Sequence, residues 1–218
     1  MSDPHWPTVL FDFDGTLANT IPLIVASYRH TIERFGLDPA DDITIRSWIG
    51  RTLPDMFGEL VGDEREPELT DAYSAWQQEH VEELLEPFAG IDELLVDLRA
   101  AGVRMGVATS RRRPSAERLA AALDLHTHLP VLVTMEDTPV HKPNPAPLLL
   151  AAERIGAEPA DCVYVGDATV DLGAADAAGM AGIGVTWGAG LSEELRALPS
   201  VAVVDTVDEL RRLLLPSV

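Results

Sequence analysis

Cysteine and basic residues are scarce in this sequence of 218 residues. Cys162 is the only cysteine, so no internal disulfide can form, and we expect a reducing, cytoplasmic setting. Lysine and arginine number 16 against 36 aspartates and glutamates, which gives a formal net charge of -20. So acidic a chain repels nucleic-acid phosphates and anionic lipid, and we therefore expect neither nucleic acid nor a membrane as a partner.

Long apolar runs are also missing. No apolar stretch is long enough to span a bilayer, and residues 1–8 lack the basic and apolar segments of a signal peptide. The 46% of hydrophobic residues are nevertheless enough for a sizeable core. Because the net charge would repel a phosphorylated ligand too, any phosphate site needs its own positive field, from a metal, a basic side chain or helix N-termini.

Short apolar runs alternate with longer stretches of helical periodicity. The runs that read as strands cover residues 8–11, 103–108, 131–133, 161–165, 181–185 and 201–204. Strands that alternate with helices predict an α/β fold, here a Rossmann-like parallel sheet with helices on both faces.

One segment interrupts this alternation. Residues 19–87 contain several helical stripes and no convincing strand, so we expect an inserted α-helical domain. Residues 1–18 and 88–218 would then form the core domain. Proline and glycine punctuate the pattern near residues 19–21 and 86–90, where we expect the hinges.

An acidic pair ends the first predicted strand. Asp12 and Asp14 are followed by Gly15 and Thr16, and side chains two residues apart in a strand point to the same side. Two such carboxylates repel each other, so one must be protonated or a cation must lie between them. Taken alone, an acidic surface turn explains this stretch equally well.

Polar residues follow the next predicted strands as well. Thr109 and Ser110 end the second strand, Lys142 follows the third, and Asp167 and Asp171 follow the fourth. Each group alone is typical of an ordinary turn. Ligands of open parallel sheets bind at the carboxyl ends of the strands, so their recurrence there predicts one common site.

These residues carry a family resemblance. Asp-x-Asp-Gly-Thr at 12–16, the strand-end Thr109, Lys-Pro-x-Pro at 142–145 and Gly-Asp-x-x-x-Asp at 166–171 resemble the four motifs of the haloacid dehalogenase (HAD) superfamily. The aspartate at position 14 resembles the phosphatase-type branch, and the helical block resembles a C1-type cap. Within the superfamily the chain is most similar to phosphoglycolate phosphatases and the related pyrophosphatases and sugar-phosphate phosphatases.

The resemblance implies a Mg²⁺-dependent phosphatase acting on a small phosphorylated substrate. Asp12 would be the nucleophile that forms an aspartyl-phosphate, and Asp14 the general acid and then the base. Mg²⁺ would be bound by Asp12, Asp167 and the backbone carbonyl of Asp14, a set that suits its preference for oxygen ligands.

The remaining motif residues would support this chemistry. Thr109 would donate a hydrogen bond to a phosphoryl oxygen, and Lys142 would supply a fixed positive charge. Asp171 would act through a metal-bound water or by holding Lys142. Gly15, Thr16 and Ser110 are expected to shape the site around these groups.

Two arginines are weaker candidates. Arg51, between two helices of the insertion, could reach a distal anionic group of the substrate. Arg113 and its neighbours Arg111 and Arg112 could steer an anionic substrate, although a solvated cluster at a helix entrance is the simpler interpretation. A phosphotransferase resembling β-phosphoglucomutase and a non-catalytic phosphate-binding module remain alternatives, and the substrate and the oligomeric state stay open.

Overall fold

The computed structural model describes residues 6–215, and a parallel sheet forms its centre. Outside this range lie residues 1–5 and 216–218, which are the outer ends of the predicted core domain. Residues 1–5 also belong to the segment 1–8 in which we predict no signal peptide. Six strands form the sheet in the order β5-β4-β1-β6-β7-β8. In chain order the strands are β1 (Thr8–Phe11), β2 (Ala18–Asn19), β3 (Glu86–Pro87), β4 (Arg104–Ala108), β5 (Val131–Val133), β6 (Cys162–Gly166), β7 (Ala181–Val185) and β8 (Ala202–Val204).

Helices cover the sheet and fill the segment between β2 and β3. That segment, called the helical insertion below, holds α1 (Ile21–Arg34), α2 (Asp42–Ser47), α3 (Leu53–Val61) and α4 (Glu66–Leu84). The other helices are α5 (Ile91–Ala100), α6 (Arg113–Ala122), α7 (Ala146–Ile155), α8 (Thr169–Ala177), α9 (Ser192–Arg196) and α10 (Val207–Leu214). None of the helices within residues 6–215 has the length and apolarity that a membrane crossing requires.

The central strand β1 has a hydrophobic layer on each side. Val9 and Phe11 lie in one buried cluster and Leu10 in another, as the alternation of side chains along a strand requires. β1 pairs in parallel with β4 on one side and β6 on the other. The predicted α/β class is therefore confirmed, and the predicted strands differ from the observed ones by at most one residue at an end.

The helical insertion has its own core. Tyr28 lies at its centre, with ring centroids 5.2 Å from Trp48, 5.4 Å from Phe57 and 4.9 Å from Tyr73. Asp41 caps α2 and Thr52 caps α3, each accepting a hydrogen bond from a backbone N–H three residues on. Side-chain packing and local capping together explain why this segment forms helices.

The two ends of the insertion are held together by strands that the sequence pattern did not predict. β2 and β3 pair antiparallel, with Ala18 opposite Pro87 and Asn19 opposite Glu86. Each strand has only two residues, too few for a recognisable apolar alternation. A short paired ribbon therefore lies at the two regions where we predict the hinges, near residues 19–21 and 86–90.

Arg113 is part of an ion cluster around Asp137. The Asp137 carboxylate accepts hydrogen bonds from the backbone and hydroxyl of Thr134, at 2.7 and 2.8 Å, and from Arg113 at 2.6 Å. Arg154 contacts its other oxygen at 2.8 Å. The prediction that Arg113 binds substrate is wrong, because its guanidinium is engaged here and by the carbonyls of β5.

We expect Asp137→Asn to lower the free energy of unfolding by about 1–3 kcal/mol at pH 7. Burial alone would raise the pKa of Asp137, but the hydrogen bonds from Thr134, Arg154 and Arg113 together lower it. A lowered pKa stabilises the fold above the unfolded value of about 4 and ceases to do so as the pH falls through the folded value. Urea unfolding of both proteins between pH 7 and pH 3 should show the difference shrinking below about pH 4.

The control is Asp205→Asn, which removes a carboxylate whose side chain is 59% exposed in its pair with Arg196. Exposed pairs contribute at most about 1 kcal/mol, so this variant should change little at either pH. A stability loss in Asp137→Asn that is constant with pH would contradict the proposed role of its ionised form.

Candidate active site

The carboxyl ends of three neighbouring strands bring the predicted polar groups together. β1 leads into Asp12, β4 into Thr109 and β6 into Asp167, while the loop after β5 supplies Lys142. All four are buried, with exposed fractions of 2%, 4%, 0% and 5% respectively. Burial of so many polar groups at one edge of a sheet is unusual unless they pair with each other or with a ligand.

Lys142 hydrogen-bonds to three of the buried polar side chains at this edge of the sheet. Its Nζ donates to Asp12 Oδ1 at 2.8 Å, to Asp171 Oδ1 at 2.6 Å and to Tyr164 Oη at 3.1 Å. These three contacts use all three donors of the ammonium. Of the two roles considered for Asp171, the structure shows the direct hold on Lys142. Tyr164, in the middle of an apolar strand, gave no polar signal in the sequence.

The two oxygens of Asp12 differ in their surroundings. Oδ1 accepts from Lys142, whereas no donor within residues 6–215 contacts Oδ2. Asp12 also lines a cavity between the strand ends and the helical insertion. One oxygen is therefore fixed in place by the ammonium while the other keeps its lone pairs for a ligand.

Asp167 lies in a close-fitting backbone cradle. The N–H of Ala189 donates to Oδ2 at 2.6 Å, and the hydroxyl of Thr16 donates to Oδ1 at 3.3 Å. A Cβ on Gly15 would come within 2.2 Å of Asp167 Oδ2, and one on Gly188 within 2.1 Å. Gly15 also has φ +70, a conformation that favours glycine. Gly188 and Ala189 belong to the site but follow β7, a strand end where the sequence analysis found no reactive group.

Asp12, Asp167 and Asp171 form a group suited to a cation. One carboxylate oxygen from each residue lies within 4.8 Å of the other two. Burial, with the nearby Asp171 and Asp14 charges, raises the pKa of Asp12 to about 7 despite the opposing effect of Lys142. Burial and the same kind of repulsion, from Asp171 and Asp12, raise the pKa of Asp167. The single positive charge of Lys142 does not balance the negative charge of three carboxylates. The donor atoms of this group are all oxygens, which suits a hard divalent cation.

Asp14 lies outside this carboxylate group and has a cation of its own. Arg111 Nε lies 2.8 Å from both Asp14 oxygens, and the Thr20 hydroxyl donates to Oδ1 at 2.5 Å. Asp14 could therefore serve a metal only through its backbone, as the sequence analysis proposed. The Arg111 side chain is 9% exposed, so the interpretation of a solvated arginine cluster is wrong for this residue.

Arg111 also joins the core to the helical insertion. Its Nη1 donates to Gln77 Oε1 of α4 at 2.7 Å and to Ser115 at 2.9 Å. Gln77 in turn donates to Tyr73 Oη at 3.1 Å. Ser110 makes a second link, donating to the carbonyl of Gly50 at 2.7 Å. The need for a counter-charge to Asp14 was the one sequence signal that could have identified Arg111.

A cavity of about 470 Å³ lies between the strand ends and the helical insertion. Asp12, Asp14 and Thr109 line it from the core, and aromatic and aliphatic side chains line it from the insertion. Arg51 is part of the lining, as predicted, but its guanidinium pairs with Glu59. Arg113 is not part of the lining.

The structure thus has a parallel sheet, an acid pair after its central strand and a buried lysine beside that pair, an arrangement that fits an α/β hydrolase. The chain belongs to the haloacid dehalogenase-like hydrolases, whose family model matches residues 9–185. The resemblance seen in the sequence motifs is thereby confirmed.

Named relatives cover nearly the whole chain. A protein named probable phosphatase IndB from Dickeya dadantii is 36% identical over 94% of this chain and 91% of its own. Pyrophosphatase PpaX from Bacillus mycoides is 31% identical over 93% and 94%. A haloacid dehalogenase-like hydrolase structure from Bacteroides fragilis superposes with a TM-score of 0.87, at 31% identity, over 94% of this chain and 99% of that one.

We expect Gly188→Ala to weaken divalent-cation binding by about 10–100-fold, because its methyl group must displace the Asp167 carboxylate. Calorimetric titration with Mg²⁺ measures this directly. Gly58→Ala is the control, since it adds the same methyl group to a helix of the insertion and should leave Mg²⁺ affinity unchanged. Unaltered affinity in Gly188→Ala would show that Asp167 is not a ligand.

Proposed function

We propose that this chain is a Mg²⁺-dependent phosphatase that cleaves a small phosphorylated metabolite through an aspartyl-phosphate on Asp12. The observation that carries the proposal is the asymmetry of the Asp12 carboxylate. Lys142 holds Oδ1, and Oδ2 is without a donor at the edge of the cavity. A positioned carboxylate oxygen of this kind is the nucleophile that covalent phosphoryl transfer needs.

The reaction has two steps. Asp12 Oδ2 attacks phosphorus, the bond to the leaving oxygen breaks, and Asp14 gives that oxygen a proton. Asp14 then takes a proton from water, whose oxygen attacks phosphorus, and inorganic phosphate leaves with Asp12 regenerated. Arg111 and Thr20 hold Asp14 in a single orientation for both proton transfers.

Thr109 and Lys142 have separate electrostatic roles. The Thr109 hydroxyl oxygen accepts the N–H of Arg111 at 3.2 Å, so its own proton is free for a phosphoryl oxygen. The ammonium of Lys142 donates its hydrogen bonds to Asp12, Asp171 and Tyr164. It therefore acts as a fixed positive charge beside the reacting centre. Because Lys142 is buried, solvent and salt screen its charge only weakly.

Asp12, Asp167 and the backbone carbonyl of Asp14 would hold Mg²⁺. When bound, it neutralises charge on the phosphoryl oxygens and on the crowded carboxylates. Support comes from the oxygen-only donor set, its burial, and the negative charge that Lys142 leaves unbalanced.

We expect Asp12→Asn to lower phosphate release by at least about 10³-fold, because an amide oxygen is a poor nucleophile. The assay measures free phosphate from a panel of monoesters with Mg²⁺ and with EDTA, which should also abolish release. Asp161→Asn, at an exposed position before β6, is the control and should keep full activity. Full activity in Asp12→Asn would rule out the mechanism, and an isomerised monoester without free phosphate would indicate a mutase.

We expect Arg111→Met to lower kcat by about 10²-fold with little change in KM, because general acid catalysis contributes about 10²–10⁴-fold. The loss should be large for alkyl phosphates and small for 4-nitrophenyl phosphate, whose leaving group needs no proton. Arg196→Met, an exposed ion-pair residue, is the control. Equal losses on both substrates would show that Arg111 does not act through Asp14.

A further inference from the structure

Resting on the proposed function, we propose that the leaving group of the substrate is an alcohol with an apolar, ring-sized body. A second phosphate, a carboxylate or a polyhydroxylated sugar suits this cavity less well. Its shape, its wall chemistry and the state of its polar side chains all support this assignment.

The wall formed by the helical insertion is mostly carbon. Ile24, Tyr28, Trp48, Ile49 and Leu53 line the cavity opposite the strand ends. Its volume of about 470 Å³ is within the range of about 300–1,000 Å³ typical of organic-ligand sites. A ring buried against such a wall removes apolar surface from water, which favours binding. A phosphate or a glycolate has little apolar surface to bury and gains less.

Three uncharged polar side chains in the lining are already paired. The Gln77 amide contacts both Arg111 and Tyr73, Ser74 donates to the carbonyl of Thr70, and Ser110 donates to that of Gly50. A sugar hydroxyl placed against any of these three side chains would have to displace its contact or remain unpaired. Burying a ligand hydroxyl without a hydrogen-bond partner costs free energy. A site without such partners therefore discriminates against ligands that carry many hydroxyls.

The hydroxyl of Tyr28 in this wall has no such partner. Tyr28 is 2% exposed, and within residues 6–215 no side chain or backbone group hydrogen-bonds to its hydroxyl, although the residue lines the cavity. On the insertion side the leaving group can therefore hydrogen-bond to a phenol, and the indole N–H of Trp48 is a second group of the same wall. Two such groups are fewer than a hexose requires.

Two of the four arginines in the lining are neutralised by carboxylates and offer little to a second anionic group. Arg111 is neutralised by Asp14 and Arg51 by Glu59. Arg112 and Arg118 line the cavity but are exposed, so solvent and salt screen their charge. In a chain of net charge -20 they are suited to attracting the phosphate group itself.

The test compares phosphate esters of primary alcohols, whose leaving oxygens have similar intrinsic reactivity. The panel is 2-phenylethyl phosphate, hexose 6-phosphate and phosphoglycolate, with inorganic pyrophosphate added. We expect kcat/KM for 2-phenylethyl phosphate to exceed each of the others by about ten-fold or more. Equal or higher values for pyrophosphate, phosphoglycolate or the hexose ester would overturn the assignment.

A pair of variants in the helical insertion sharpens the test. Leu53→Asn places an amide in the apolar wall and should lower kcat/KM for 2-phenylethyl phosphate by about ten-fold. The hexose ester should lose less than two-fold or gain. Ile43→Asn makes the same kind of change at a side chain that is 69% exposed and outside the lining, and it should alter neither substrate. Uniform losses across the panel in Leu53→Asn would contradict the proposal.

Failure of this inference differs from failure of the proposed function. If Asp12 and Mg²⁺ are required but the panel shows no preference for the aryl ester, the phosphatase stands and the leaving-group assignment falls. If release of phosphate survives Asp12→Asn, or no ester is cleaved, the proposed function itself fails and the inference falls with it.

Discussion

The crowding of buried carboxylates against one ammonium is the constraint on which the rest of this structure depends. Asp12, Asp167 and Asp171 have oxygens within 4.8 Å of one another, and Lys142 contacts two of the three residues. Neither the acids nor the lysine would tolerate such burial alone. The end of the central strand, the loop after β5 and the first turn of α8 must therefore meet at one point, and this requirement fixes the edge of the sheet where substrate can bind.

The two aspartates of the first motif have different cations, and this difference gives them different chemistry. Asp12 is paired with an ammonium enclosed by the core, whereas Asp14 is paired with a guanidinium that also reaches α4. Asp14, the proposed acid and base, is thus connected to the helical insertion, while Asp12, the proposed nucleophile, is connected only to the core. Contact between the insertion and the core consequently bears on acid–base chemistry more directly than on nucleophilic attack.

Most of the sheet and the main motif residues could be predicted from the sequence, because apolar runs and strand-end polar groups are local patterns. The residues that escaped prediction depend on contacts distant in the chain. Arg111 and Asp14 are 97 positions apart, and nothing near Arg111 distinguishes it from its solvated neighbour Arg112. Arg113 was assigned to substrate for the same reason. In the sequence, Tyr164 is indistinguishable from the apolar residues of its strand. Its hydroxyl nevertheless accepts the third hydrogen bond of the Lys142 ammonium.

Lys142 is the only lysine among the 218 residues, and its side chain is 1% exposed. The other side chains that carry a permanent positive charge are arginines, and guanidinium groups keep their charge far into the alkaline range. Reagents that acylate amines therefore find a single side-chain target, and it lies against Asp12, the proposed nucleophile. Labelling at that ε-amine would report how often the catalytic centre opens, with no background from lysines on the surface.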